Sequence, residues 1–413
     1  MLFHAVLNRM IQLGTLTVHY PGGRVAHYGN GEQPQASVML RSPRAVRRLL
    51  LNPSLAAGEL YMDGEMEPLG GSLYELLDVL TLNLHDGGGH LVDQLLQLGR
   101  LFSRRLGQLN LAGRARRNVA HHYDLNGRLY ALFLDRDRQY SCAYFRSEQD
   151  SLEDAQQAKL RHIAAKLCLQ RPEGRPPLEV LDIGCGWGGM AMHLAREWGV
   201  RVTGITLSEE QLAVARQRAA EAGLADRVRF ELMDYRAWTR PVDRVVSVGM
   251  FEHVGLNHYG SFFGMLKRVL APDGVALVHS IGRYAGPSAT SPWITKYIFP
   301  GGYCPALSEV LPAVERSGLW LTDVEILRLH YAETLRHWRR RFAANRDAIA
   351  GLYDERFCRM FEFYLAASEL AFRNADHMNF QLQLSPSRKA VPLVRDYMAE
   401  AEREAARRAK VSA

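Results

Sequence analysis

The sequence is poor in cysteine, and its cysteines are not spaced as metal ligands or as a redox pair. There are five among 413 residues, and none forms a CxxC pair: Cys142, Cys168, Cys185, Cys304 and Cys358. An odd number at irregular intervals argues against a disulfide framework and against a zinc site. The cysteine content therefore predicts no metal centre and a cytoplasmic protein.

The sequence also lacks a long apolar segment. No run approaches the roughly 20 residues that a membrane-spanning helix needs. The first 20 residues lack the charged start, apolar stretch and small-residue cleavage site of a signal peptide. Hydrophobic residues make up 47% of the chain and charged residues 23%, which is typical of a globular protein with two or three domains at this length.

Acidic residues are fewer than basic ones, so the chain has a formal net charge of +7 and a pI near 9.2. A basic protein favours an anionic partner, either nucleic acid or a phospholipid surface. The basic residues are not interleaved with aromatic residues as in RNA-binding signatures. No nucleic-acid partner is therefore predicted.

One basic segment has the pattern of an amphipathic helix. From His90 to Leu109, leucines and Phe102 recur at helical spacing, and arginines lie between and after them: Arg100, Arg104, Arg105, Arg114, Arg116 and Arg117. Such a helix can lie on an anionic membrane, which predicts reversible attachment to the inner face of the membrane. A helix that packs on its neighbour and has a solvated basic face explains the same pattern.

The first 88 residues have the turn and period signals of a small α+β domain. Two strands alternate around Pro21-Gly22-Gly23, and a helix is predicted from Pro43 to Leu51 with Ser42 as its cap. The glycine run at 87–89 predicts a linker. The predicted domains are an N-terminal domain (1–88), a basic linker (89–117), a large α/β domain (118–395) and a charged tail (396–413).

Strands and helices alternate through the centre of the chain. Strands are predicted at 178–183, 200–206, 228–232, 243–248 and 274–281, and helices at 152–169, 189–198, 208–222 and 259–270. The alternation predicts a parallel, doubly wound α/β sheet, in which ligands bind outside the carboxyl ends of the strands. Residues 284–320, irregular and rich in glycine and proline, are predicted to be an inserted lid or acyl-channel segment. The tail from Glu400 to Lys410 is predicted to be a solvated or frayed helix.

The first predicted strand of that sheet ends in a glycine-rich turn. Val180-Leu181-Asp182-Ile183 is followed by Gly184-Cys185-Gly186-Trp187-Gly188-Gly189, and a helical pattern then begins. Glycines let a ligand approach the backbone closely, because they carry no Cβ atom. A dinucleotide site would add an acid about 20 residues later, and none is found there. The turn resembles that of S-adenosylmethionine (SAM)-dependent methyltransferases, although an ordinary strand-to-helix turn would contain similar glycines.

Other segments make this resemblance more specific. In chain order they are His122 to Asn126, Tyr140 to Tyr144, Gly249 to Gly255, His279 to Gly282, Tyr297 to Tyr303, His330 to Trp338 and Arg356 to Leu365. Together with the glycine turn they strongly resemble cyclopropane-fatty-acyl-phospholipid synthases, over roughly residues 118 to 384. The resemblance implies a class I SAM-methyltransferase (Rossmann-like) domain. The N-terminal domain resembles the small lipid-carrier-like domain of the long bacterial members.

The activity that the resemblance implies is transfer of a methylene group from SAM to the cis double bond of an unsaturated phospholipid acyl chain. An alkene is a poor nucleophile, so its attack on the methyl sulfonium builds a carbocation that must be kept dry and stabilised. A base must then remove a proton to close the ring. In the family this base is a bound bicarbonate ion, and the matching residues are Cys142, Glu252, His279, Tyr331 and the backbone at Ile281.

The resemblance also implies a set of SAM-binding residues. The matching positions are Tyr140, Ser141, Asp182, Gly184, Cys185, Gly186, Thr206, Leu207, Gln211, Asp234 and Tyr235. Among them, Gln211 would contact the ribose and Asp234 the adenine amino group. Structural roles are the alternative: a cysteine is often a small core residue, and a histidine at a strand end is often only hydrogen-bonded.

Two alternatives to a cyclopropane synthase are compatible with the same sequence. A sister methyltransferase would divert the cation to a methyl-branched product. A lipid-binding protein with a decayed methyltransferase fold would have no activity. The predicted partners are unsaturated phospholipid acyl chains and an anionic membrane surface, and homodimer formation stays open.

Overall fold

The structure is a computed structural model that describes residues 2–84, 127–170 and 174–411, the last three of them by their backbone alone. Its strands are β1 (Thr15–His19), β2 (Val25–Gly29), β3 (Gln35–Leu40), β4 (Met66–Pro68), β5 (Glu179–Ile183), β6 (Arg201–Thr206), β7 (Val228–Leu232), β8 (Val242–Val248), β9 (Leu270–Arg283), β10 (Trp320–Leu327) and β11 (His377–Ser385).

The described helices, apart from three short 3-10 turns, are distributed along the whole chain. They are α1 (Leu2–Met10), α2 (Pro43–Leu51), α3 (Pro53–Met62), α4 (Leu73–Leu82), α5 (Gly127–Phe133), α6 (Leu152–Lys166), α7 (Gly189–Trp198), α8 (Glu209–Glu221), α9 (Tyr259–Val269), α10 (Pro292–Tyr297), α11 (Leu307–Ser317), α12 (His330–Ala344), α13 (Arg346–Leu352), α14 (Glu355–Arg373) and α15 (Tyr397–Val411).

The described chain divides into two compact units. The first unit contains residues 2–84, 288–302 and 331–377, and the second contains 127–170, 174–287, 303–330 and 378–411. The first unit therefore combines the N-terminal residues with two segments that come much later in the sequence.

The first unit contains a four-stranded sheet in the order β2-β1-β3-β4. β1 is antiparallel to β2 and parallel to β3, and β4 is antiparallel to β3. The predicted hairpin and the predicted helix over 43–51 are confirmed, and the Ser42 hydroxyl accepts a hydrogen bond from the Ala45 amide as an N-cap. In the same unit the Glu59 carboxylate of α3 accepts hydrogen bonds from Lys296 Nζ (2.7 Å) and Tyr297 Oη (2.9 Å) of α10.

The second unit is built on a seven-stranded sheet in the order β10-β11-β9-β8-β5-β6-β7. Strands β5 to β9 are parallel to their neighbours within that group, and β10 and β11 pair antiparallel. The predicted doubly wound α/β fold is confirmed. The strand order turns at β5, since β6 and β7 lie on one side of it and β8 and β9 on the other. This switch point puts the expected ligand crevice at the carboxyl ends of β5 and β8.

One local prediction was wrong, and another is confirmed only in part. Residues 284–320 are not irregular throughout, because they contain α10 and α11. α11 forms despite Pro312 inside it, and its Glu309 carboxylate accepts a hydrogen bond from the Ala306 amide (3.1 Å) at the start of the helix. The helix predicted for the tail is confirmed as α15, but it is not solvated on all sides, since Met398, Ala401 and Ala405 are buried.

The predicted linker glycines at 87–89 and the predicted amphipathic segment from His90 to Arg117 lie outside the described residues, as do His122 to Asn126. Within the described ranges, none of the helices combines the length and the apolar character that crossing a membrane requires.

Candidate active site

The glycine turn, residues 184–188, joins β5 to α7 at the switch point of the sheet. Gly184, Gly186 and Gly188 all have positive φ angles, of 79°, 53° and 84°. The amides of Gly184 and Cys185 both donate to the Ile205 carbonyl of the neighbouring strand, at 2.9 and 3.1 Å. The turn therefore needs glycine for its backbone conformation, as its sequence predicts.

The glycines of the turn differ in what surrounds them. A Cβ atom on Gly184 would lie 2.8 Å from Cβ of Met250, and one on Gly188 would lie 2.6 Å from the Phe230 ring. A Cβ atom on Gly186 would meet no described atom within 4 Å. Gly184 and Gly188 are thus constrained by packing, whereas Gly186 faces open space that a ligand could fill.

Asp182 is buried on β5, two residues before the turn. None of the described residues bonds its Oδ2 atom. Burial raises the pKa of this carboxyl group to about 7, although the nearby Lys159 ammonium opposes the rise. A buried carboxylate oxygen without a partner is costly, and such groups are often positioned for a ligand.

Lys159 of α6 is a site residue that the sequence analysis missed. Its side chain is fully buried and donates hydrogen bonds to Gln139 Oε1 (2.6 Å) and Ser141 Oγ (3.0 Å). Burial lowers the pKa of its ammonium group to about 8. Its charge acts electrostatically on three predicted site residues, Asp182, Cys142 and His279. The charge of Lys159 therefore acts both on Asp182, beside the glycine turn, and on His279 of β9.

The segment from Gln139 to Cys142 is held by side chains of α6. Gln156 Nε2 donates to the carbonyls of Gln139 (3.2 Å) and Ser141 (3.0 Å). A Cβ atom built on Gly249, directly after β8, would lie 4.0 Å from Ser141 Cβ. The Tyr140 ring packs edge-on against Tyr130 and Phe133, and Cys142 is fully buried. The segment thus lies at the carboxyl end of the sheet.

Three of the residues predicted near the ends of β6 and β7, Thr206, Gln211 and Asp234, form side-chain hydrogen bonds within the protein. Thr206 Oγ1 donates to Gln211 Oε1 (3.0 Å), and both residues are buried. Asp234 forms an ion pair with Arg236, whose Nε lies 2.8 Å from Asp234 Oδ1. Partial burial would raise the pKa of Asp234, but the bonds from Arg236 outweigh it and lower that pKa. Leu207 and Tyr235 are partly buried, and Cys185 lies in the apolar core.

Glu252 lies in a short 3-10 turn after β8 and is buried. Its Oε1 atom accepts a hydrogen bond from the Ile281 amide (2.7 Å), whereas no described residue bonds the buried Oε2 atom. Burial raises the pKa of Glu252 to about 7, and the Ile281 amide limits the rise. The predicted backbone contribution of Ile281 is thus directed at Glu252 in this structure.

His279 lies on β9 beside the end of β8, where the Gly249 amide donates to the His279 carbonyl (2.9 Å). Its ring is buried, and two side chains of β11 contact its nitrogens. Gln381 Nε2 lies 3.1 Å from Nδ1, and Asn379 Nδ2 lies 3.1 Å from Nε2. Burial, followed by the charges of Lys159 and Lys166, lowers the pKa of His279 to about 3. The ring is therefore neutral at physiological pH.

Tyr331, the remaining predicted site residue, belongs to the first unit. It is buried near the start of α12, and its ring packs against Trp338 (5.8 Å between centroids) and Phe372 (5.1 Å). Within the second unit, the structure brings Ser141, Asp182, Glu252 and His279 to the carboxyl ends of β5 and β8.

Comparison with known proteins identifies the family. The family model described as mycolic acid cyclopropane synthetase matches residues 112–382. A second model, a domain of unknown function (DUF7884), matches residues 2–85. The first match covers more than half of the chain and includes all the predicted site residues.

Three similar proteins support this match. A cyclopropane-fatty-acyl-phospholipid synthase of Escherichia coli is 40% identical over 356 residues, 86% of this chain and 89% of the relative. A tuberculostearic acid methyltransferase of Mycobacterium tuberculosis is 36% identical over 391 residues, 90% of this chain and 88% of the relative. A crystal structure of a mycolic acid cyclopropane synthase complexed with SAH and CTAB matches with a TM-score of 0.60 and 34% identity, over 65% of this chain and 97% of that one. The chain belongs to the mycolic acid cyclopropane synthetase family, and it is a SAM-dependent methyltransferase.

Proposed function

We propose that this enzyme transfers a methylene group from SAM to the cis double bond of an unsaturated acyl chain in a membrane phospholipid, with bicarbonate as the general base. Bound SAM supplies the methyl group, and bound bicarbonate supplies the base for the final deprotonation. The cyclopropane-fatty-acyl-phospholipid synthase of E. coli, similar over most of this chain, supports the substrate and the product.

The observation that carries the proposal is the state of Glu252. One carboxylate oxygen is held by the Ile281 amide, and the other is buried with no bond from any described residue. A carboxyl group whose pKa is about 7 changes protonation state near neutral pH. It can therefore accept a hydrogen bond from a protonated ligand or donate its own proton to an anionic one. Both properties suit a partner for bicarbonate, which is itself an anion with a hydroxyl group.

The other predicted residues would complete a polar pocket for this anion. The neutral His279 ring can donate one hydrogen bond. Cys142, which is fully buried, would line the pocket without acting as a nucleophile. Removal from water would strengthen each of these interactions and protect a developing cation from hydrolysis.

The glycine turn and Asp182 fit SAM. The open space beside Gly186 would admit the ligand close to the backbone, and the unbonded Oδ2 of Asp182 would orient it. Gln211 would contact the ribose. Asp234 would accept from the adenine amino group only alongside its ion pair with Arg236, because that pair already occupies both of its oxygens.

A sister methyltransferase that makes a methyl-branched product is the second candidate. The similarity to a tuberculostearic acid methyltransferase over 90% of this chain favours it. The residues that bind SAM and the base would be the same in both cases, because the two products diverge only after methyl transfer. The distinction therefore rests on the product.

Analysis of the lipid product separates the two candidates. The purified enzyme is incubated with SAM and vesicles of a phospholipid with one cis-monounsaturated chain, and the acyl chains are analysed by mass spectrometry before and after ozonolysis. A cyclopropane synthase adds one CH₂, and the modified chain resists ozonolysis because its double bond is lost. A modified chain that is still cleaved by ozone, or one that gains two further hydrogens, would contradict the proposed product.

We further propose that the enzyme attaches reversibly to anionic membranes through the basic segment from His90 to Arg117, which lies outside the described residues. Each basic residue near an anionic surface contributes about 1 kcal/mol, and salt screens the attraction. Replacing the six arginines at 100, 104, 105, 114, 116 and 117 with glutamine should abolish most co-sedimentation with vesicles rich in anionic lipid. Replacing the same six with lysine is the matched control and should preserve it. Equal binding by both variants would contradict this docking surface.

A further inference from the structure

Gln381, on β11, contacts both the predicted site histidine and a buried lysine. Its Oε1 atom accepts a hydrogen bond from Lys166 Nζ (2.8 Å), and its Nε2 atom lies 3.1 Å from His279 Nδ1. An ammonium group has only donors, so the oxygen of the Gln381 amide must face Lys166. The NH₂ group of Gln381 must then face His279, and the usual ambiguity between amide oxygen and nitrogen does not arise.

The direction of this bond determines the state of the histidine ring. Because Gln381 donates to Nδ1, Nδ1 must accept, and an accepting ring nitrogen carries no proton. The ring is neutral in its buried position beside Lys159 and Lys166. Its single proton is therefore on Nε2.

Asn379 fits the same assignment after one adjustment. Its Nδ2 atom lies 3.1 Å from His279 Nε2, which would set one donor against another. Its buried Oδ1 atom, at the same time, has no bond from any described residue. Exchanging the oxygen and nitrogen of the Asn379 amide lets Nε2–H donate to Oδ1 and removes the conflict between the two donors, and the NH₂ group then occupies the position that no described residue bonds.

We infer that Gln381 is a positioning residue, which holds His279 in the tautomer that carries its proton on Nε2 and so makes Nε2 the ring's only donor. The orientation of Gln381 is fixed by Lys166, whose ammonium also bonds the Glu325 carboxylate. The ion pair between Lys166 and Glu325 thus sets the tautomer of His279 through Gln381. The consequence for catalysis rests on the proposed function, in which bound bicarbonate takes the place of Asn379 Oδ1 as the acceptor of the hydrogen bond from His279 Nε2–H.

Nitrogen NMR of the protein without ligands tests the inference independently of activity. The protein is labelled with ¹⁵N-histidine, and the His279 signals are assigned as those missing from His279→Gln. The wild-type protein should have a protonated Nε2 and an unprotonated Nδ1. A wild-type ring with its proton on Nδ1 would overturn the inference, without any variant being needed.

Gln381→Glu places an acceptor where the amide donates and should move a proton onto Nδ1. Gln383→Glu is the matched control, because Gln383 lies on the same strand and face but bonds the Lys166 carbonyl and Tyr397 Oη. This control adds the same charge and should leave the proton on Nε2. An unchanged tautomer in Gln381→Glu, or a changed one in Gln383→Glu, would contradict the role of Gln381.

The dependence of the rate on bicarbonate connects the tautomer to the proposed function. In Gln381→Glu the bicarbonate concentration for half-maximal rate should rise about tenfold or more, because a hydrogen bond to a charged group is lost. SAM affinity, measured by calorimetry, should stay within about twofold of the wild type, since Gln381 lies away from the glycine turn. A switched tautomer with an unchanged bicarbonate requirement would support the assignment of Gln381 and count against the role of His279 in the proposed function.

Discussion

The glycine turn and the pair Glu252 and His279, beside the carboxyl end of β8, are built in different ways. The turn consists of consecutive residues, and its shape is set by positive φ angles that glycine adopts readily. Glu252 and His279 instead depend on partners that lie 29 and 102 residues further along the chain, the Ile281 amide and the Gln381 side chain. A ligand site made from backbone can be read from a short motif, whereas one made from buried side chains depends on the whole sheet.

The two regions nevertheless share one feature. Each contains a buried carboxyl group with one oxygen unbonded by described residues, and burial raises the pKa of both Asp182 and Glu252 to about 7. They differ in what opposes this rise in pKa. The charge of the Lys159 ammonium acts on Asp182, whereas the Ile281 amide donates a hydrogen bond to Glu252. The comparison predicts that substitutions in the two regions separate SAM binding from turnover.

The largest expected effect is on turnover in Glu252→Gln. The amide keeps the size of the side chain but cannot take up or give back a proton, so kcat should fall by about 10² to 10⁴-fold. SAM affinity should stay close to that of the wild type, because Glu252 is distinct from the glycine turn. Calorimetry and initial rates on the same preparation measure both quantities. Loss of SAM binding in this variant would remove the distinction between the two regions.

The next effect concerns SAM affinity in Gly186→Val. The valine would fill open space beside the turn and would also strain a positive φ angle, so SAM affinity should fall at least a hundredfold. Gly199→Val is the matched control, because Gly199 has a positive φ of 65° and also has no described atom within 4 Å of an added Cβ. Both variants should lose about 1–2 kcal/mol of stability from backbone strain, but only Gly186→Val should lose SAM. Unchanged SAM affinity in Gly186→Val would make the turn a structural crossover.

Lys159→Met should have an intermediate effect, because Lys159 acts on both regions. The methionine keeps the apolar stem but removes the hydrogen bonds to Gln139 and Ser141, so SAM affinity should fall about tenfold. Lys267→Met is the control, since Lys267 bonds backbone carbonyls at Gly318 and Pro386 and should leave SAM affinity unchanged. Fluorescence or calorimetric titration with SAM checks both. If Lys159→Met bound SAM as tightly as the wild type, Lys159 would have only a structural role.

The smallest expected effect is on stability, in Asp182→Asn. Burial raises the pKa of Asp182 from about 3.9 in an unfolded chain to about 7, so the wild-type protein loses stability as pH rises between these values. Asp182→Asn cannot ionise, and its Tm should exceed that of the wild type by a few degrees at pH 8 and by less at pH 5. Thermal unfolding at both pH values measures this difference. A variant that is less stable than the wild type at pH 8 would mean that Asp182 is stabilised as an anion.

The sequence predicted the sheet and the glycine turn because both follow local patterns. It missed Lys159 and Gln381 because polar residues at regular spacing normally indicate a solvated face. Such residues recur along α6 at Gln156, Lys159, His162 and Lys166, and along β11 at Asn379, Gln381, Gln383 and Ser385. In the structure both sets are buried, and Lys166 Nζ donates to Gln381 Oε1 between them. Two polar faces that cover each other cannot be told from two solvated faces without the fold.

The Ile281 amide, predicted to help hold bicarbonate, makes a contact within the protein that the motif did not predict. A motif predicts which residues lie near a ligand, but it does not predict the hydrogen bonds that these residues form with one another. The Ile281 amide donates to Glu252 and leaves the second carboxylate oxygen for another donor. The site therefore orients its acid through the backbone of the adjacent strand.

The most direct test of the account is the bicarbonate dependence of the wild-type enzyme and of Glu252→Gln. Initial rates are measured with saturating SAM and cis-unsaturated phospholipid in buffer depleted of carbon dioxide, and bicarbonate is then added back. The wild-type rate should be low without bicarbonate and rise to saturation with it, whereas Glu252→Gln should stay slow at every concentration. A wild-type rate independent of bicarbonate, or near-wild-type turnover by Glu252→Gln in the depleted buffer, would contradict the assignment of the base.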